Sequence, residues 1–143
     1  MGRVHAAMHV GLLRDGLDQI YSRLKRNKAL PLNLGLDVAV PDGHEHHASY
    51  RRHGAGCRQR TVKTEQGERI QKYHRQVTLM LLPGAPSSGK PLRVLLDCEP
   101  MLPDEDEVAC GMRLLTRVLA AYPRAFDLVL ADALYATWIM RGA

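Results

Sequence analysis

The chain has 143 residues, 45% of them apolar and 24% charged, with 20 Lys and Arg against 15 Asp and Glu for a formal charge of +5. That length fits one domain with a real hydrophobic core and excludes two ordinary ones; the composition excludes wholesale disorder, and the basic excess favours a polyanionic partner. Cys57, Cys98 and Cys110 are odd in number and lack CxxC spacing, which excludes a disulfide framework, and no run approaches the ~20 apolar residues that span a bilayer, so a soluble, cytoplasmic protein with no membrane partner is expected.

Residues 1–13 mix Arg, His and Gly and do not read as a signal peptide. Leu13, Leu17, Ile20, Tyr21 and Leu24 recur at intervals of three and four, predicting a helix over roughly residues 12–27 with those side chains on its buried face. Lys25, Arg26 and Lys28 lie near its C-terminal end, where cations complement the helix dipole. Pro31 stops the helix, and residues 34–40 read as the first strand, delivering Asp42 at its end. Residues 43–63, rich in His, Arg and Gly, read as a loop or inserted subdomain.

Gln76–Leu82 and Leu92–Leu96 read as two strands of a hairpin joined by the Pro- and Gly-rich segment 83–91. Gly84–Pro91 nearly spells a phosphate-binding GxxxxGK[ST] loop. Pro91, however, supplies neither the hydroxyl nor the backbone N–H that such a loop needs, and a strand follows rather than a helix, so no nucleotide cofactor is expected. Acids 104–107 open a helix whose buried stripe is Val108, Met112, Leu115, Val118 and Leu119. Tyr122-Pro123-Arg124 ends it, and residues 126–130 form the last strand, closing on Asp132. The predicted class is mixed α/β: strand, strand, strand, helix, strand, preceded by an N-terminal helical segment at 1–33.

Asp42-Gly43-His44-Glu45, Ser49–His53 with Cys57, Tyr73-His74-Arg75 leading into 77–82, and 123–127 continuing through Asp132–Ala136 occur in an order and spacing that resemble a DDE transposase of the IS4-like group. The resemblance covers roughly residues 35–137. It implies a partial RNase H-like fold over 34–143 and places the first two catalytic acids, both magnesium or manganese ligands, on Asp42 and Asp132. It further implies metal-dependent DNA cleavage and strand transfer. A third acid, a glutamate on a helix well downstream, is implied too. Only eleven residues follow Asp132, so that acid is expected outside the sequence and the chain is read as a truncated copy, inactive alone, with DNA and a full-length transposase or its own C-terminal part as partners. The alternative is a non-catalytic basic remnant that binds DNA or a transposase.

Each aspartate also has a plainer reading: Asp42 as the start of an Asp-Gly turn and Asp132 as a helix cap. Asp97 and Glu99 are competing acids, read as surface or turn residues. His46, His47, His53 and Cys57 are four zinc-type ligands in one segment, although their spacing matches no standard finger. The alternative is a flexible polar loop. Arg51, Arg52, Arg58, Arg60 and Lys63 make the same segment the most basic part of the chain and its DNA-contact candidate, against a merely solvated loop.

Overall fold

The structure, a computed structural model, describes residues 10–51, 54, 56–84, 92–133 and 135. In chain order these form α1 (Val10–Arg26), β1 (Val38–Ser49), β2 (Arg58–Thr64), β3 (Gly67–Leu82), β4 (Val94–Pro100), α2 (Glu107–Ala121) and β5 (Leu128–Val129). The class is mixed α/β, with one five-stranded sheet. Among the described residues no helix is long and apolar enough to cross a membrane.

β3 organises the sheet. One of its edges pairs antiparallel with β1, from Val38↔Leu82 to Ser49↔Lys72. The other edge is shared end to end: residues 67–73 pair with β2 and residues 76–81 with β4. β5 lies parallel on the far edge of β1, through Val38↔Leu128 and Ala39↔Val129. Over its packed half the sheet therefore runs β4-β3-β1-β5, with α2 connecting the two outer strands.

Odd-numbered residues of β1 and β3 turn to the face carrying both helices. Ala39, Val77, Leu79 and Leu81 are fully buried there with Leu96 of β4 and with Cys110, Leu114 and Val118 of α2. Each such aliphatic side chain contributes about 1.5–3 kcal/mol by leaving water. α1 lies beside α2, with Tyr21 meeting Tyr122 edge-on at 5.2 Å. Asp106 caps α2, its carboxylate accepting from the Ala109 N–H at 2.7 Å.

The expected boundaries shift in several places, the last strand among them, which spans Leu128–Val129 rather than 126–130. The first strand begins at Val38 rather than 34, because Leu34 and Gly35 both take positive φ (52° and 84°) in a turn closed by Asn33 and Leu36. It then continues through Asp42 to Ser49, so the aspartate sits within the strand opposite Thr78 rather than at its end. The expected loop at 43–63 is instead the second half of β1 and nearly all of β2, with residues 52, 53 and 55 outside the described set. β3 starts nine residues before Gln76, at Gly67. The hairpin of β3 and β4 forms as expected, while its connection at 85–91 lies outside the described residues.

Both helices are rotated relative to the expected stripes. In α1 Tyr21 and Leu24 pack on the core, but Leu13 and Ile20 are about half exposed at 48% and 53%. In α2 the buried positions are Cys110, Gly111, Leu114 and Val118, and Leu119 faces water. Asp97 and Glu99 are buried rather than surface residues. Arg117 bonds both, Arg113 bonds Glu99, and Arg14 of α1 approaches them at 3.4 and 3.5 Å. Leaving such buried carboxylates unpaired would cost several kcal/mol. The network ties β4 to both helices.

Candidate functional site

A cavity of about 330 Å³ lies beside β1 and β3, bounded by Asp42, Glu107, Asp132 and Arg93, with Val40, Met80 and Leu82 among its apolar walls. Asp42 arrives on β1 and Asp132 follows β5. The parallel seam brings them together: the Leu130 N–H donates to the Ala39 carbonyl at 2.9 Å, and the Asp127 and Leu128 N–H groups donate to the Asp37 carbonyl. Asp37 is itself buried, its N–H bonding the Asp127 carboxylate at 2.8 Å and its carboxylate meeting Lys25 at 2.5 Å. Two residues ninety positions apart thus border one opening, and both are exposed.

Glu107, the first residue of α2, is the acid that sequence reading passes over as a helix-start charge. Arg75 holds it at 2.9 Å, and its side chain is only 13% exposed. Its carboxylate lies directly over Gly43; a Cβ there would come within 2.2–2.5 Å of it. Glycine beside Asp42 therefore fits a close approach. The Asp-Gly pair, for which a turn is the plainer alternative, lies in a strand, and a helix terminus comes down on its glycine.

Tyr135 lies beneath the acids. It is 9% exposed, its hydroxyl is buried without a hydrogen-bond partner among the described residues, and its ring abuts Gly111. Burial raises its pKa strongly, and the charges of Glu107, Asp132 and Asp42 push it the same way, so the phenol stays protonated. The Tyr135 N–H donates to the Asp132 carbonyl at 3.2 Å, which ties the aspartate's backbone to the turn after β5.

Carboxylate oxygens around an open, partly apolar cavity suit a hard divalent cation. Magnesium is held by one or two protein carboxylates and completes its shell with water and phosphate oxygens. Asp42 and Asp132 fit that requirement. Glu107, engaged by Arg75 at 2.9 Å, adds negative potential beside them. Among the described residues no three His, Cys, Asp or Glu side chains converge on one point, an arrangement that a largely hydrated ion does not need.

Of the four expected zinc ligands, His46, His47 and Cys57 are described, and no group of three His, Cys, Asp or Glu forms around them among the described residues. His53 lies outside the described residues, and His46 is the extra residue of a bulge between Glu45 and His47, its ring meeting His44 at 6.2 Å. The Cys57 sulfur meets the Nε2 of His74 at 3.0 Å, and the Gly54 N–H donates to the same sulfur. His47 stands opposite His74 in the β1–β3 register.

The expected DNA-contact residues divide. Arg58 turns inward, donating to the Leu102 and Glu105 carbonyls at 2.9 and 2.5 Å. Arg60 forks onto Glu45 at 2.7 and 3.0 Å and lies over the Tyr73 ring. Lys63 and Arg51 are exposed, and Arg52 lies outside the described residues. Sequence reading missed Arg69, over the ring of Tyr50, and Lys72, bonded to Gln59.

No family model matches the chain, and no curated protein and no solved structure matches it significantly.

Proposed function

We propose that this chain carries a two-carboxylate site for metal-dependent phosphodiester chemistry on DNA, in the manner of the RNase H-like DDE transposases it resembles. One observation carries the reading: Asp42 and Asp132, far apart in sequence, border a single open cavity because β5 pairs parallel with β1. The strand order β4-β3-β1-β5, with a helix between the outer two, supports it as the arrangement expected of a partial RNase H-like fold. Magnesium or manganese bound there would supply Lewis acidity for attack of water or a 3′-hydroxyl on a phosphodiester. Asp42 and Asp132 are its proposed ligands; Arg93, on the cavity rim, would attract the phosphate.

Manganese titration followed by NMR tests this reading. Millimolar Mn²⁺ should broaden resonances of Asp42, Asp132 and their neighbours selectively, and the Asp42→Asn/Asp132→Asn double variant should abolish the effect. An undisturbed spectrum at millimolar metal, with the fold intact, would sink it.

A second reading, a non-catalytic DNA- or transposase-binding remnant, is favoured by the distribution of charge. Residues 44–75 hold eight Lys and Arg against three Asp and Glu, leaving twelve of each in the rest of the chain, so the formal excess of +5 resides in this segment. Metal binding at Asp42 and Asp132 separates the two readings.

A further inference from the structure

Beyond the end of β1, β2 and β3 continue as a bare two-stranded ribbon: Arg60–Thr64 pair with Gly67–Gln71, and the Glu65-Gln66 turn closes it with Gly67 at φ 107°. Among the described residues β2 packs on no strand or helix except β3, apart from the Arg60 side chain that reaches Glu45 of β1. Five paired positions extend about 17 Å at ~3.4 Å per residue. We infer that this ribbon enters the major groove of duplex DNA. The inference rests on the DNA-binding element common to both readings above, and it adds where and how the duplex is held.

The arrangement of cations carries the argument. Directly paired residues share a face of a ribbon and neighbouring pairs alternate. Arg69 with Val62 therefore occupies one face and Lys63 with Glu68 the other, which Lys72 with Gln59 continues at the base of the ribbon, where Lys72 also faces Ser49 of β1. Among the described residues none of these three cations has a carboxylate partner, whereas Arg58, Arg60 and Arg75 are engaged within the protein. A surface that lay flat on a backbone would need its charge on one face. Charge on both faces suits an element flanked by phosphates on two sides, and the B-form major groove, about 12 Å wide, admits a two-stranded β-ribbon.

Side chains on the same two faces, beside those cations, can reach base edges as well. Thr61 and Gln66 offer hydrogen-bonding groups to base edges, while the Gln59 and Gln71 side-chain oxygens already accept from Lys72 and Arg60; Ile70, 58% exposed on a ribbon without a core, offers an apolar contact of the kind a thymine methyl takes. Glu65 and Glu68 are the two acids on residues 58–73, against five cations. Gly67 lies eleven residues along β3 from Thr78, the partner of Asp42. That is at most about 37 Å of strand, close to one turn of B-DNA. The ribbon would hold the groove roughly one turn from the carboxylates.

Fluorescence anisotropy of the full chain with a short DNA duplex in EDTA, over a range of salt concentrations, tests the inference. The Lys63→Ala/Arg69→Ala/Lys72→Ala variant should bind at least tenfold more weakly at low salt. Its log–log salt slope should be shallower by about 2–3, since each phosphate contact contributes roughly 0.9. Methyl green, which occupies the major groove, should displace the protein; netropsin, in the minor groove, should not. An RNA duplex of the same sequence should bind less well, its major groove being too deep and narrow for side chains to read. An unchanged slope in a triple variant with the wild-type circular dichroism and unfolding transition would overturn the inference, as would displacement by netropsin or equal affinity for the RNA duplex. The Asp42→Asn/Asp132→Asn variant should retain the full DNA salt slope in EDTA while losing Mn²⁺ binding, so failure of the metal site and failure of the ribbon read out separately.

Discussion

Along the single strand β3, Val77, Leu79 and Leu81 have no exposed surface, whereas Ile70, closer to its start, is 58% exposed. The same backbone passes from a layer sealed by two helices to a ribbon that water reaches from both sides. In the first region stability comes from apolar burial and from the ion network around Asp97 and Glu99. In the second it comes from ladder hydrogen bonds, cross-strand pairs and arginines stacked on tyrosines, contributions of a few tenths to about 1 kcal/mol each. The packed half carries the carboxylates at its edge, and the ribbon keeps its charge available because little is packed against it.

Mutations should expose this contrast, beginning with the deepest position. Leu79→Ala should cost about 2–5 kcal/mol in urea unfolding, while Ile70→Ala should stay within about 0.5 kcal/mol. Similar losses at both sites would mean that the ribbon is packed after all. Gly43→Ala should destabilise by about 1–3 kcal/mol, because its methyl must displace the Glu107 carboxylate. Adding Glu107→Ala should recover part of that loss, and a strictly additive double variant would argue against the contact. Removal of the α2 cap by Asp106→Ala should cost about 1 kcal/mol.

Cysteine reactivity separates the same two regions without mutation. Burial pushes the Cys110 thiol up to about 11, with Glu105 adding to the effect. Iodoacetamide at mildly alkaline pH should therefore modify the partly exposed Cys57, just before β2, and spare Cys110 until the protein unfolds. Early labelling of Cys110 would show that the packed half opens readily. The smallest effect is expected in acid. Burial pushes the Glu105 carboxyl up, but the bonds from Arg113 and the Leu102 N–H outweigh it and hold the pKa below the usual value. Its stabilising contribution is complete above the ordinary carboxylate pKa and fades as pH falls through the lowered one. Glu105→Gln should flatten the stability profile below about pH 4.

Burial also explains what is legible in the sequence. The helices and the β3–β4 hairpin are readable because periodic apolar residues and the largely aliphatic runs Val77–Leu82 in β3 and Val94–Leu96 in β4 are the imprint of a core. β2 and the second half of β1 are not. His44–Ser49 and Arg58–Thr64 carry no alternation of apolar and polar residues, since neither face of the arm is sealed, and a strand solvated on both sides reads as a loop. Glu107 is hidden for another reason. An acid in the first turn of a helix has an ordinary electrostatic explanation, and only the tertiary approach to Gly43 reveals where it sits. Asp97 and Glu99 escape sequence reading because their partners come from two different helices.

The seam between β1 and β5 has a kinetic consequence. It consists of two paired positions, Val38↔Leu128 and Ala39↔Val129, and it closes a span of ninety residues. Contacts that distant in sequence form late, after their loop-closure entropy has been met by other structure. So short a ladder is also among the first to open in a folded protein. The Leu130 amide should exchange with solvent sooner than those of Val77 and Leu79. The two aspartates would then be united last during folding and parted first during native fluctuations, so occupancy of the cavity would act as the clasp on the final step of assembly.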